Sequence, residues 1–291
     1  MTGTAVVPPD PDRILALTVP DGHYTVTARR HADLLRHIHA PEAFTTSDGG
    51  PAHPIFAHLA TNRGMGWDFP ELLEHVGATP EDGVVFGGGT FTFAELLTVG
   101  EPYTVRARMH DVRRKSGRRI GAFDAITLAL DVVAPDGAVP VRTTETYVVP
   151  RPGTRHADDR RPSPVPRPGP SGPARPGRFR QPVGPITRED IAGIMAVMED
   201  TNPVHVDAGL ARAAGYRGPV HQGPANLAFV FNAIAADRGT VTDVGHAAFT
   251  FRDTVTEGDR LEVHLDGTAP VEGRLEIVGV GTALTCEVGF R

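Results

Sequence analysis

One cysteine, Cys286, stands in 291 residues, which excludes an intrachain disulfide and any cysteine-based metal cluster. Lysine is almost as scarce: Lys115 is alone among 29 basic residues, a bias that reads as coding composition rather than function. No apolar run approaches the ~18 residues a membrane helix needs, and no signal-peptide core heads the chain. Positive charge is not in excess either. A formal net charge of −6 and a pI near 6.1 argue against nucleic acid or an anionic membrane as partner. These absences describe a soluble chain expected in the cytoplasm.

What is present suits two domains of ordinary size. Residues 1–22, with Pro8, Pro9, Pro11 and Pro20, read as a poorly ordered lead-in. Residues 23–150 then open with a strand at Tyr24–Thr27 and helical stretches at 32–39 and from Pro54. Gly64 to Gly77, with Trp67, follows as a helical insertion. His31, His37 and His39 have no carboxylate at ligand spacing, so no metal site is expected there. Gly87, Gly88 and Gly89 lack the spacing of a phosphate loop and read as a strand passing close to another backbone. A long antiparallel meander follows, through 103–109, 121–133 and 141–149. The basic run Arg113 to Arg119 reads as a solvated hairpin tip, with carrier phosphate contact as the alternative.

Residues 151–185 read as a linker, because the stretch 150–185 holds eleven of the 27 prolines together with Ser, Gly and Arg. An internal repeat spans it. Phe91-Thr-Phe93 returns as Phe249-Thr-Phe251, Gly100 as Gly258 and Val105 as Val263, each 158 residues on. Residues 186–291 are therefore a second copy, with a capped helix from Thr187 and strands near 247–252, 260–266, 273–280 and 282–290. Each half is expected to wrap an antiparallel sheet around one helix.

Only the second copy carries a catalytic pattern. Asp200, Asn202, Pro203 and His205 fall within six residues, and Pro203 forces a turn that can aim Asp200 and His205 at one point. About twenty residues later Gly223 and Pro224 open an apolar helix, Ala225 to Ala236, whose first N–H groups stay free for an anionic oxygen. Gly223 is expected as its N-cap. Asp-x-Asn-Pro is also a good turn sequence, so a purely local cap at Asp200 stands as the alternative.

Asp-x-Asn-Pro-x-His, followed by Asp207, an Ala-rich helical turn, Gly-Tyr-Arg-Gly and a Gly-Pro helix start, resembles the MaoC-like hydratases and dehydratases, including the (R)-specific enoyl-CoA hydratases. The resemblance implies an α+β double hotdog: two tandem hotdog domains, each a long helix wrapped by an antiparallel sheet. The first half resembles the N-terminal, non-catalytic domain of the fused type. Two positions depart from the pattern, Glu199 for the usual Gly and Gln222 for the usual His.

The resemblance implies hydration of 2-enoyl thioesters, or dehydration of (R)-3-hydroxyacyl thioesters, carried on coenzyme A or an acyl carrier protein. Asp200 and His205 would be catalytic, while Gly223, Asn202 and Gln222 would serve the oxyanion or the substrate. No cofactor and no metal are expected. The halves would pair as a pseudo-dimer within one chain, with a homodimer of the chain left open. Alternatives are a specialised lyase acting on another carbonyl substrate and a non-catalytic acyl-binding subunit. A hotdog thioesterase would need a carboxylate on or near the central helix, and Ala225 to Ala236 has none.

Overall fold

A computed structural model describes residues 8–42, 44, 48–79, 82–117, 121–151 and 178–291. The first half runs α1 (Pro11–Leu15), β1 (Gly22–Thr25), α2 (Ala28–His37), α3 (Phe56–Gly64), α4 (Phe69–His75), β2 (Val85–Phe93), β3 (Pro102–Gly117), β4 (Gly121–Val133) and β5 (Val141–Pro150). The second runs β6 (Phe179–Val183), α5 (Arg188–Met198), a 3-10 turn (Pro203–His205), α6 (Ala208–Ala213) and α7 (Gly223–Arg238). It closes with β7 (Val244–Phe251), β8 (Leu261–Asp266), β9 (Val271–Ile277) and β10 (Gly281–Phe290). The fold is an α+β double hotdog.

All ten strands form one sheet in the order β1-β3-β4-β5-β2-β7-β10-β9-β8-β6. The order is a palindrome about the β2–β7 seam. There Thr90 lies opposite Ala248, its own counterpart 158 residues on, so the repeat in the sequence is a pseudo-twofold axis in space. Even the register shifts recur: β2 slips against β5 between Phe86 and Gly88, and β10 against β7 between Gly289 and Phe290. The glycines of β2 serve both of its pairings, Gly88 facing the Phe249 carbonyl of β7 and Gly89 facing β5. Gly88 has φ 147°, and a Cβ on Gly89 would drive into the Thr144 carbonyl of β5.

Alternation of apolar and polar residues buries one face of each strand against α7 in the second half and against α3 in the first. Helix α7 is apolar all round and buried from Pro224 to Ala235. The helices are unequal. Helix α3 has 9 residues against the 16 of α7, because at Gly64 the chain turns extended to pass beneath Gly22 of β1, where the Gly66 N–H donates to the Pro20 carbonyl.

Helices α2 and α5 pack together across the axis, Gly193 leaving room for the His37 ring. Thr27 caps the Arg30 N–H, as Thr187 caps that of Asp190, and both helices end on a left-handed residue, His39 at φ 49° and Glu199 at φ 50°. Two equivalent polar pairs cross the interface with the roles of the helices exchanged: Arg30 of α2 binds Glu199 after α5, and Asp190 of α5 meets the His39 ring after α2 at 3.3 Å.

Two expectations need correction. Residues 8–21 are not a loose lead-in, since Asp10 caps α1 and Ile14 is buried; residues 1–7 lie outside the described residues. The expected linker also ends early. Phe179–Val183 is strand β6, paired with β8, while 152–177 lie outside the described residues.

Candidate active site

A capping box between Thr187 and Asp190 starts α5, and Ile191, Ile194, Val197 and Met198 anchor it in the core. Left-handed Glu199 ends the helix, and the Asp200 N–H donates to the Met195 carbonyl at 3.0 Å. The chain then folds back on itself. The Asn202 N–H donates to Asp200 Oδ1 at 2.9 Å, and the Asn202 side chain accepts from the Val204 N–H at 3.1 Å to start the 3-10 turn. That turn delivers His205 Nε2 to within 3.0 Å of Asp200 Oδ2.

The other ring nitrogen fixes the proton count. His205 Nδ1 lies 2.7 Å from the Val220 carbonyl, which can only accept, so Nδ1 carries a hydrogen. One further proton must then lie between Nε2 and Oδ2, on one atom or the other. Burial opposes ionisation of Asp200, but the His205 ring, the Asn202 N–H and the charge of Arg63 outweigh it and hold the carboxyl below its ordinary value. His205 is buried while the Asp200 side chain keeps 32% of its surface open, enough for a ligand to reach the pair.

The start of α7 is tied to this turn. Val220 N–H donates to the Val204 carbonyl at 3.1 Å, which places Gly223 three residues from the carbonyl that orients His205. Gln222, at φ −63° and ψ 133°, is the N-cap, so Gly223 is the first helical residue rather than the cap. Its N–H has no acceptor among the described residues. The Phe251 ring covers it, 3.2 Å from where a Cβ would stand. A free N–H at the positive end of a 16-residue buried helix can polarise a carbonyl oxygen.

Two expected site residues do other work. The Asn202 side chain is spent on the turn, so only its backbone N–H serves Asp200. Gln222 turns its amide toward the Ile191 carbonyl at 3.3 Å, and its Oε1 is buried without a partner. Its neighbour His221 donates from Nδ1 to Asn226 Oδ1 at 2.7 Å, and burial pushes its pKa down to about 4, so the ring stays neutral. Arg63, at the end of α3, was not foreseen. Its Nε donates to the Met198 carbonyl at 2.5 Å, and its charge reaches Asp200 from the other half, a relation no spacing within one half could reveal.

The first half has no Asp-x-Asn-Pro-x-His in its sequence, and its described residues place no acid/base pair at the equivalent turn. Ala40, whose N–H donates to the Leu35 carbonyl at 2.9 Å after left-handed His39, holds the place of Asp200.

Residues 171–287 match the family described as the MaoC like domain. The C-terminal half is similar to a MaoC-like domain. Asp200, His205, Gln222 and Gly223 all lie inside that match, and the first half repeats its fold outside it. The chain is similar over 96% of its length to a MaoC-like dehydratase from Phytophthora capsici, at 14% identity, 98% coverage of that chain and a TM-score of 0.74. It is also similar to full-length peroxisomal multifunctional enzyme type 2 from Drosophila melanogaster (18% identity, TM-score 0.69), covering 94% of this chain and 48% of that one. A Mycobacterium tuberculosis protein described as a double hotdog fold matches at 12% identity and TM-score 0.61, over 94% of this chain and 96% of that chain. These likenesses establish the fold. A search of curated proteins returned no match.

Among the described residues no cluster of His, Cys, Asp or Glu is arranged to hold a metal, and no helix is long and apolar enough to cross a membrane.

Proposed function

We propose that the chain is a MaoC-type hydro-lyase that adds water to 2-enoyl thioesters or removes it from (R)-3-hydroxyacyl thioesters. The observation that carries this reading is the Asp200–His205 pair, which holds one shared proton on a turn tied to the free N–H of Gly223. Hydration needs a base for the water that attacks C3, an acid for C2, and relief of charge at the thioester carbonyl as enolate character develops. The pair can take the proton from water and return one to C2. The Gly223 N–H would receive the developing oxyanion, a contact typically worth about 3 kcal/mol.

One active site per chain follows, with residues 23–150 giving shape rather than chemistry and 186–291 giving the catalytic groups. Coenzyme A or an acyl carrier protein would carry the acyl group, in cytoplasmic fatty acid or polyketide metabolism. The partnerless Oε1 of Gln222 favours a second reading, a non-catalytic acyl-binding subunit. A spectroscopic enoyl-thioester assay separates the two. Asp200→Asn and His205→Ala are each expected to lower kcat by roughly 10²-fold or more, with the thermal midpoint little changed. Near-normal turnover by both variants would remove the pair from the mechanism.

A further inference from the structure

The first half buries a polar cluster that the mechanism above does not use. Glu145 on β5, 1% exposed, receives the Thr61 hydroxyl at 2.7 Å, His58 Nδ1 at 3.0 Å and the Tyr147 hydroxyl at 3.0 Å. Asn62 Nδ2 in turn donates to the Tyr147 oxygen at 3.1 Å. Burial, and then the nearby Glu145, push the Tyr147 pKa well up, so it stays a phenol.

The second half shows that the fold has no need of such a cluster. Gly89 pairs with Glu145 as Ala247 pairs with Val288, and Phe86 with Tyr147 as Val244 with Phe290. The helix starts align too: Pro51 bridges Thr98 as Val220 bridges Thr256, and the Phe56 N–H donates to the His53 carbonyl as that of Ala225 does to the Gln222 carbonyl. His58, Thr61 and Asn62 therefore stand where Leu227, Val230 and Phe231 stand in α7. The same packing is achieved there with apolar side chains, whereas a buried carboxylate costs several kcal/mol to desolvate before its hydrogen bonds offset it. Stability alone does not account for the polar set.

Its position does. The Phe86 ring stacks on His58 with centroids 4.8 Å apart, lies 5.4 Å from Tyr147 and 5.4 Å from Phe251, and Phe251 covers Gly223. Arg63, next to Asn62, projects its charge onto both Tyr147 and Asp200. The cluster thus sits one aromatic layer from the proposed oxyanion position.

Its free atoms have a definite polarity. In its neutral tautomer with Nδ1 donating to Glu145, His58 offers Nε2 as an acceptor, and with Nδ2 donating to Tyr147 so does Asn62 through Oδ1. Neither has a partner among the described residues. They are four residues apart on α3 and share a face. We infer that the first half recognises the acyl tail of the substrate through His58 and Asn62, and that this tail carries a hydroxyl group, alcohol or phenol, rather than being plain hydrocarbon. This rests on the hydro-lyase reading of Asp200 and His205. An apolar tail would displace water from one buried and one half-buried polar side chain without replacing its hydrogen bonds, and sites built around a substrate hydroxyl discriminate strongly against analogues that lack it.

The test is a panel of 2-enoyl thioesters of matched length whose tails end in methyl, methyl ether or hydroxyl, the hydroxyl also stepped along the tail. The ether can accept but not donate. The wild-type chain is expected to show kcat/KM roughly tenfold or more higher for its best hydroxyl substrate than for the matched ether and methyl compounds. His58→Leu with Glu145→Val, which copies the second half, is expected to erase that ratio. Should circular dichroism show this variant unfolded, Tyr147→Phe, which removes one oxygen, is expected to cut the ratio at least severalfold. Turnover of the panel with no hydroxyl preference overturns the inference and leaves the hydro-lyase reading standing, as does a variant that folds and keeps the wild-type ratio. No turnover on any member overturns both.

Discussion

Asp124 shows how much one buried carboxylate can organise. With a fully buried side chain, it takes Arg114 Nε and Nη2 at 2.8 and 2.9 Å and Arg151 Nε at 2.7 Å. Arg114 also reaches the Pro9 carbonyl, and Arg151 the carbonyls of Val76 and Gly77, so five segments meet on one ion. Asp124→Asn strands two guanidinium groups without their counter-charge and is expected to cost about 3–5 kcal/mol in chemical denaturation. An unchanged midpoint would refute the role. Burial works against the charge, but the two arginines win and hold the carboxyl below its ordinary 3.8. Its contribution is therefore complete above pH ~4 and is lost as pH falls through the lower folded value, so the variant should flatten the acid side of the stability profile. The sequence shows Arg114 only as part of a basic run that reads as a hairpin tip. Strand register decides otherwise, because Arg114 lies directly opposite Asp124. The catalytic turn was legible for the opposite reason: Asp200, Asn202, Pro203 and His205 act within one local bend, whereas Arg63 arrives from the other half.

At the scale of elements, period and punctuation carried far. The apolar run after Gly223 is α7, the strands of both halves fall near their expected limits, and Gly87 to Gly89 do mark a close backbone approach. What local pattern could not supply is the pairing of β2 with β7, and hence the single ten-stranded sheet. Helix α3 stops at Gly64, where the insertion was expected to begin, and the reason is β1 crossing beneath it. The pairing of β2 with β5 makes a specific demand. Gly89→Ala would press a methyl group into the Thr144 carbonyl, and overpacking of this kind costs ~1–3 kcal/mol. Thermal unfolding is expected to register that loss, while Gly83→Ala, in open space though at φ 72°, should cost no more than its backbone strain. Equal midpoints for wild type and Gly89→Ala would mean that the β2–β5 pairing has slack.

Across the whole molecule, the polar pairs between α2 and α5 bias which halves meet, while the β2–β7 seam joins them. Arg30 and Glu199 are 28% and 56% exposed, so the attraction is modest, up to ~1 kcal/mol. Arg30→Glu is expected to lower the denaturation midpoint, and adding Glu199→Arg to recover most of the loss. A cycle with no coupling would deny the pair any part in pairing. If two copies of the second half met about the same axis, Asp190 would face Glu199 at both contacts, whereas the unlike halves set Glu199 against Arg30. Self-association of the second half is thus opposed, while union of the unlike halves is favoured. The peptide link between them is then a matter of convenience for recognition. A gene broken between residues 151 and 178 would yield two polypeptides that find each other as a heterodimer, and each lineage could drift in its interior so long as the opposed signs on α2 and α5 were kept.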